Sequence, residues 1–377
     1  MIRTAAVGMA LFLIPSGLAA QAPVGGNGAI IFERYSFDSG FLFTDVSEIT
    51  VPLTLSTYLN RWAHLTVSGG VTSIRLTADE MGGSADQTIS GLTDTEARLI
   101  VEVVPDRFHL MATGVAPTGM EALNLEEGAV LSAISSEVIG FSTMNLGTGG
   151  RAGGGVIGAY PLGDMALGFA MTYTHSLAYT PVVGQPYEWK PGNEIRVRAG
   201  IEGTLAPRTY LRIAGVFARR QKDQVDGEDS GGLGNQFHGY LALNQGIEAS
   251  TLSLYVANSY RSAPQIEATP LGAVRVPKGN LTTLGAKVEI PVSRQWRLIP
   301  KAEIRRFSEA PQDDRGDGPL ESAGSSVRVG ADVRYPIRPG LALVLEGNGL
   351  FGTVSGLEGT DVGVSGFRGG FHLEIRR

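Results

Sequence analysis

Apolar and polar side chains alternate along most of the chain, and this two-residue period is typical of β-strands with one polar and one apolar face. Between Glu194 and Glu202, the charged residues all have even numbers and the odd-numbered residues are all apolar. Sixteen segments with this pattern are separated by turn residues. We predict strands at residues 27–37, 48–59, 63–77, 94–104, 108–117, 149–160, 165–180, 193–205, 209–222, 236–246, 250–262, 280–291, 296–308, 324–335, 340–353 and 363–376.

Short and long connections alternate between these strands. The short ones are residues 60–62, 105–107, 161–164, 206–208, 245–248, 291–295 and 336–340, and the long ones are 38–47, 79–93, 118–148, 181–192, 223–235, 263–279, 309–323 and 354–362. Short turns at one end, long loops at the other and an even strand count predict an all-β fold, a transmembrane antiparallel up-and-down barrel of the bacterial outer-membrane kind. The count is sixteen strands, and fourteen or eighteen follow if one hairpin is miscounted.

Aromatic residues near the short turns favour a barrel whose apolar faces meet lipid and whose charged faces line the interior, because such rings prefer the membrane boundary. They are Tyr58, Trp62, Phe108, Tyr160, Tyr210, Trp296 and Tyr335. The alternative is that aromatic residues flank turns in any β protein. Pro52 and Pro300 fall within strand patterns, and since proline removes a ladder donor, we expect bulges or strand ends there.

The N-terminus predicts export. A charge at Arg3, an apolar run from Ala5 to Pro15 and small residues up to Ala22 form a secretory signal over residues 1–20, cleaved between Ala19 and Ala22. The apolar run is shorter than the roughly 20 residues of a membrane-spanning helix. We predict one barrel domain over residues 21–377.

Composition excludes several classes of site. The chain has no cysteine, which excludes thiolate metal sites, thiol catalysis and disulfides. Its formal charge of −6 argues against a nucleic-acid partner. We predict no cofactor.

The last strand resembles the barrel-assembly signal of bacterial outer-membrane proteins, which combines a polar residue, a glycine and alternating hydrophobic residues. Arg368, Gly370, Leu373 and Ile375 match those roles, whereas the last residues, 376–377, are arginines in place of the usual terminal aromatic. The resemblance implies the barrel-assembly machinery, outer-membrane lipid and lipopolysaccharide as partners.

Two further segments, 44–56 and 125–141, loosely resemble, in their general residue pattern, transporters of fatty acids and aromatic hydrocarbons and meta-pathway phenol-degradation proteins. Those families have a barrel that admits hydrophobic compounds. No binding residue can be matched to them.

The long connection 118–148 has apolar residues at helical spacing, at Val130, Ile134 and Val138 among others, and predicts a short amphipathic helix. It resembles the loop of general porins that folds into the lumen and narrows it; the alternative is a solvated surface loop. The resemblance implies that its acidic residues border a constriction opposite basic wall residues, which would orient polar solutes. The candidate pore-lining and constriction residues are Glu96, Arg98, Glu102, Glu121, Glu126, Glu127, Glu137, Glu194, Arg196, Arg198, Glu202, Arg212, Lys301, Glu303, Arg305, Arg328, Asp332 and Arg334.

Three functions remain open at this point. A charged lumen favours a passive channel for small hydrophilic solutes. The resemblance of segments 44–56 and 125–141 favours a transporter of hydrophobic compounds. Interior charges that pair with each other would favour a non-conducting structural or adhesive barrel. We predict that the chain is not an enzyme, because His175 and Ser176 point to opposite faces of a strand and cannot act together.

An acidic segment, 313–318, resembles half of a calcium loop, but Arg315 stands where a ligand is required. We interpret it as an acidic surface turn. The alternative is that, together with Asp226, Glu228 and Asp229, it bridges divalent ions to lipopolysaccharide.

Overall fold

The computed structural model describes residues 24–41, 43–80, 83–120, 122–143, 146–266, 276–311, 316–356 and 360–375. The predicted signal sequence, Glu121, residues 313–315 and residues 376–377 lie outside the described residues. Seventeen strands form one continuous sheet. They are β1 (Val24–Phe37), β2 (Asp45–Tyr58), β3 (Ala63–Glu80), β4 (Gly83–Leu92), β5 (Thr95–Val104), β6 (Phe108–Ala116), β7 (Arg151–Leu162), β8 (Met165–Ser176), β10 (Glu194–Ala206), β11 (Thr209–Arg220), β14 (Gln236–Ile247), β15 (Ser250–Arg261), β17 (Gly279–Pro291), β18 (Arg297–Glu309), β19 (Glu321–Arg338), β20 (Leu341–Ser355) and β21 (Asp361–Ile375). Four short strands, β9 (Trp189–Lys190), β12 (Asp223–Val225), β13 (Glu228–Gly232) and β16 (Gln265–Ile266), form a separate sheet within the long loops.

The large sheet closes into a barrel because β1 pairs with β2 on one side and with β21 on the other, both antiparallel. Strand β4 pairs with residues 71–80 of β3, and β5 pairs with residues 63–68 of the same strand. The two strands therefore occupy one strand position of the wall. The wall thus has sixteen strand positions, each antiparallel to its neighbours. The predicted all-β, sixteen-stranded up-and-down barrel is confirmed.

Side chains alternate between the two faces of the wall, as the sequence predicts. On β1, Ile30 is 56% exposed on the outside, whereas Glu33 is fully buried on the inside. On β21, Phe367 and Phe371 are exposed outward, and Arg368 lies opposite Glu33 on the inner face. An apolar belt on the outside and charged groups within are the reverse of a soluble sandwich and fit a barrel that spans a bilayer.

The predicted loop at 79–93 is wrong, because residues Gly83–Leu92 form β4. Ile89 is buried on the inner face opposite Ile74 of β3. The outward residues Asp86, Thr88 and Ser90 are exposed and polar. A strand that rises beyond the lipid meets water on its outer face, so its sequence lacks the apolar stripe that identifies the other strands.

The expectation of bulges or strand ends at the two prolines is also wrong. Pro52 lies opposite Gly70 of β3, and Pro300 lies opposite Ala331 of β19, without a shift of register. Each proline leaves a gap in the described ladder to its other neighbour, and the register is the same on both sides of that gap. The missing N–H therefore costs ladder bonds on one side of the strand and leaves the strand continuous.

The described residues include one α-helix, α1 (Leu125–Ile134), which starts in the long connection between β6 and β7. Within the described part of the chain, no helix is long and apolar enough to cross a bilayer.

Candidate functional site

The wall contains a one-residue irregularity beside the connection between β6 and β7. Val71 of β3 pairs with Leu92 of β4, and Ser68 of β3 pairs with Glu96 of β5, so the register shifts by one residue between the two strands. The shift falls at Thr93 and Asp94, which lie in neither strand. An extra residue of this kind re-aims the side chains beside it.

The Asp94 carboxylate binds both ends of the connection. Its Oδ1 accepts a hydrogen bond from the Gly119 amide at 3.1 Å, and its Oδ2 accepts bonds from the amide and the hydroxyl of Thr148 at 2.8 and 3.1 Å. The connection has an entering limb, which contains Gly119 and Met120, and a returning limb, which contains Gly147 and Thr148. The two limbs are in contact here, since a Cβ on Gly147 would lie 2.5 Å from the carbonyl oxygen of Met120. The connection is therefore narrowest at Asp94 and Gly147, and we call this point the neck.

Beyond this neck, the described residues 119–120, 122–143 and 146–147 form a segment that we call the strap. Its helix α1 begins with a reciprocal cap, in which the Glu127 carboxylate accepts from the Asn124 amide and the Asn124 side chain accepts from the Glu127 amide, both at 2.8 Å. A helix is therefore present as predicted, but it ends at Ile134, before Val138, and its apolar residues are not gathered on one face, so the prediction that it is amphipathic is wrong. The strap buries apolar side chains, including Val130, against inward residues such as Ile74.

The far part of the strap is bonded to the inner wall. The Val138 carbonyl accepts from Ser326 at 2.8 Å, and the Ile139 carbonyl accepts from Arg328 at 2.7 Å. The amides of Ser142 and Thr143 donate, each at 2.9 Å, to Glu33 and Glu48 respectively. These wall side chains all lie on the inner face, so the strap occupies the interior on the side of β1–β4 and β18–β21.

Below the strap on this same side, the inward charges pair with one another. Glu346 has the most partners: Lys301 and Arg368 at 3.2 Å, His372 at 2.8 Å and the Asn348 amide at 2.6 Å. Its side chain is 10% exposed, so little of it faces solvent. Further pairs join Lys301 to Asp332 at 2.8 Å, Arg305 to Glu303 at 2.8 Å and Arg334 to Glu374 at 2.9 Å.

The opposite side of the lumen keeps its charges accessible. On β10 and β11 the inward side chains of Arg196 and Arg212 are 51% and 46% exposed. Arg196 pairs with Glu194 at 2.7 Å, and Arg212 pairs with Glu202 at 2.5 Å. Arg198 lies between them on the inner face and has no ion pair within the described residues.

The neighbouring inner wall on β8 carries no charge. Its inward residues from Ala166 to Ser176 are alanine, glycine, threonine and serine, while Phe169 and Met171 point outward. His175 and Ser176 occupy opposite faces of this strand. A cavity of about 320 Å³ lies where this small-residue wall meets β10 and β11, and Ala170, Arg198 and Arg212 are among its lining residues.

The remaining predicted residues belong neither to the Glu346 network nor to the charged inner faces of β10 and β11. Glu137 pairs with Arg261 of β15 at 3.1 Å, and Arg98 pairs with Glu96 at 2.6 Å. The Glu102 carboxylate accepts from the amide of Asp106 in the adjacent turn at 2.8 Å. Glu126 lies in α1.

Sequence reasoning missed five residues that hold the interior together: Glu33, Glu48, Asp94, Glu346 and Arg368. Four of them have the inward parity of their strands, which was the available signal. Asp94 has the parity of Glu96 and Arg98 in the predicted strand 94–104, but the strand begins at Thr95 in the structure, and alternation does not indicate that Asp94 binds the long connection.

The loop after β8, which contains strand β9 of the separate loop sheet, is bonded to the strap. Leu123 exchanges backbone hydrogen bonds of 3.0 Å with Pro181 and Val183 in the loop after β8. The Asp223 carboxylate accepts from the Gly192 amide at 2.6 Å, and burial raises the pKa of that carboxyl. Asp226, Glu228 and Asp229 lie at the hairpin between β12 and β13, and within the described ranges no three acidic or histidine side chains converge on a metal position.

No family model and no curated protein sequence matches this chain. Several solved structures are similar to this chain over most of its length. OprD of Pseudomonas aeruginosa is 9% identical, with a TM-score of 0.46, over 93% of this chain and 94% of that one. OccAB3 of Acinetobacter baumannii is 10% identical, with a TM-score of 0.47, over 94% and 100%. The outer membrane channel DcaP of Acinetobacter baumannii is 12% identical, with a TM-score of 0.41, over 94% and 98%.

At this distance no residue role is transferred from those proteins, and the architecture rests on the strand pairing described above. A closed antiparallel sheet of sixteen positions, an apolar outer belt and charged groups within define the molecule. The chain is an outer-membrane β-barrel.

Proposed function

We propose that this barrel is a passive channel for small hydrophilic solutes. The observation that carries the proposal is the unequal filling of the interior: the strap and the Glu346 network occupy one side, and half-exposed charged side chains such as Arg196 and Arg212 line the other. A barrel of sixteen strands is wide enough to leave an aqueous route beside an inserted segment, whereas one of eight is filled by its own side chains.

The charges of the open wall favour anions. The inner faces of β10 and β11 carry four arginines, Arg196, Arg198, Arg212 and Arg220, and two glutamates. A lining with an excess of one sign raises the local concentration of solutes of the opposite sign. The small uncharged residues of β8 leave space next to these arginines.

A transporter of hydrophobic compounds is a second candidate, and the uncharged wall of β8 favours it. An apolar solute would have to pass along this wall without leaving an arginine such as Arg198 desolvated, which is costly for a charge. The non-conducting alternative is favoured by the Glu346 network, whose paired charges need no solute to satisfy them.

Planar-bilayer recording of the refolded protein tests these functions. We expect stable open steps, and in a KCl gradient a reversal potential of the sign that indicates preference for chloride. Rare or absent steps combined with uptake of an apolar dye into proteoliposomes would favour the hydrophobic route. Neither conductance nor dye uptake would favour a structural barrel.

A further inference from the structure

We infer that Asp94 is a positioning residue that directs the strap into the lumen and so sets the width of the proposed channel. The consequence for conductance rests on the proposed function. The position of the strap does not depend on that function, and hydrogen exchange measures it separately.

The β6–β7 ladder ends below the neck. Its last pair joins Val115 to Arg151, so Gly119 and Thr148 no longer have ladder partners when they reach Asp94. Without another constraint, two limbs leaving the end of a hairpin would continue outward as a surface loop. The Asp94 carboxylate holds both limbs at the register shift of the neighbouring wall position, one limb on each oxygen.

A carboxylate is suited to this position because it accepts hydrogen bonds through both oxygens. All three groups that reach it are donors, and the Thr148 hydroxyl that donates to Asp94 accepts in turn from Arg151 at 2.6 Å. Bonds to an ionised acceptor are stronger than neutral ones. An asparagine of the same shape would turn an NH₂ group towards one of the two limbs, so it would keep one limb and repel the other.

Apart from Asp94, the hydrogen bonds that join the neck to the β4–β5 wall position are made by the entering limb. The Thr118 hydroxyl lies 2.9 Å from that of Thr95 and donates to the Thr93 carbonyl at 2.9 Å. These bonds hold Thr118 at the wall, whereas Thr148 is bonded to Asp94 and to Arg151, which follows it on the returning limb. The carboxylate is therefore the group that joins the two limbs.

The test compares Asp94→Asn with Asp86→Asn in the full-length refolded barrel. Asp86 lies on β4 in the same wall position, but its side chain is exposed on the outer surface, where it binds Arg75 and Thr77. Hydrogen exchange of peptides covering residues 117–150 reports the strap directly. We expect exchange in this region to become about tenfold faster in Asp94→Asn and to stay at the wild-type rate in Asp86→Asn.

A disulfide provides the rescue. The chain has no cysteine, so Thr95→Cys combined with Thr118→Cys introduces a single pair at positions whose hydroxyls are 2.9 Å apart. In the Asp94→Asn background, the oxidised pair should restore slow exchange in the entering limb around Thr118 but not in the returning limb around Thr148, and reduction should make exchange fast in both limbs. If Asp94→Asn does not refold alone, the oxidised triple variant is refolded and then reduced.

The outcomes separate the two claims. Unchanged exchange in Asp94→Asn, or in the reduced triple variant, overturns the inference. Faster exchange together with larger and noisier conductance steps supports both the inference and the channel. Faster exchange in a barrel that never conducts, with or without the substitution, supports the role of Asp94 and contradicts the proposed function.

Discussion

Glu33 and Glu48 lie directly opposite each other in the β1–β2 ladder, both buried on the inner face, and each accepts a hydrogen bond from one of two successive strap amides. Their other partners differ. Glu33 forms an ion pair with Arg368 at 3.1 Å, whereas Glu48 accepts from the Thr50 hydroxyl. A buried charge is tolerated when a partner compensates it. The two carboxylates are therefore unequal in spite of their matched positions.

Neutralising these carboxylates one at a time should change the stability of the barrel by unequal amounts. Glu33→Gln leaves the Arg368 guanidinium without one of its two carboxylates, and we expect the free energy of unfolding to fall by about 3 kcal/mol. Glu48→Gln keeps an oxygen for the strap amide and removes one of two facing negative charges, so its effect should stay within about 1 kcal/mol. Urea titration of the barrel refolded into lipid vesicles measures both. Equal losses in the two variants would contradict the asymmetry.

The ion-pair network predicts a second contrast, between Glu346 and Glu374. Glu346 has four polar partners and a side chain that is 10% exposed, whereas Glu374 pairs with Arg334 at 2.9 Å and its side chain is 28% exposed. We expect Glu346→Gln to lower the free energy of unfolding by about 3 kcal/mol and Glu374→Gln by about 1 kcal/mol. The same vesicle titration measures the difference. A larger loss in Glu374→Gln would show that the network is not centred on Glu346.

Alternation predicted the barrel because lipid favours an apolar residue at the outward positions that face it, as at Val197, and leaves the inward position beside it, as at Arg198, free to be charged. It did not separate Arg198 from Asp332, although both are inward charges on central strands. Their surroundings depend on which side the strap covers, and that is decided by distant contacts such as the bond from Arg328 to Ile139, 189 residues apart in sequence. Local periodicity contains no information about such a contact.

The neck predicts that Gly147 tolerates no side chain. A Cβ there would lie 2.5 Å from the Met120 carbonyl oxygen, and the clash is with backbone, which cannot turn away. We expect Gly147→Ala to lower the melting temperature and to make channel currents noisier, at a cost of about 1–3 kcal/mol. Gly114→Ala on β6 is the matched control, because a Cβ there meets nothing within 4 Å. Similar behaviour of the two variants would mean that the limbs of the neck are not in close contact.

The loop sheet should be more stable in acid than at neutral pH. Burial raises the pKa of Asp223 in the folded loop above its unfolded value, so the folded sheet favours the protonated form. Stability is then greatest below the unfolded pKa and declines as the pH rises through the folded pKa. Asp223→Asn keeps an oxygen for the Gly192 amide and removes the charge. At pH 7 we expect slower hydrogen exchange at Gly192 in this variant than in wild type; faster exchange would indicate that the ionised carboxylate stabilises the loop.

Charge reversal at Arg198 is the most direct test of the open wall. This guanidinium is inward-facing, borders the cavity at β8 and has no ion pair among the described residues, so its charge acts on whatever passes. Arg198→Glu changes the local charge by two units, and at a few ångströms in a screened aqueous lumen this corresponds to a shift of about two- to fivefold in the chloride-to-potassium permeability ratio, towards potassium. Arg219→Glu makes the same charge change on the outer face of the neighbouring strand and should leave the ratio unchanged. Reversal potentials in a KCl gradient measure both variants. An equal shift in the two would mean that ions respond to the overall charge of the barrel, and no shift in either would mean that they do not pass along β10.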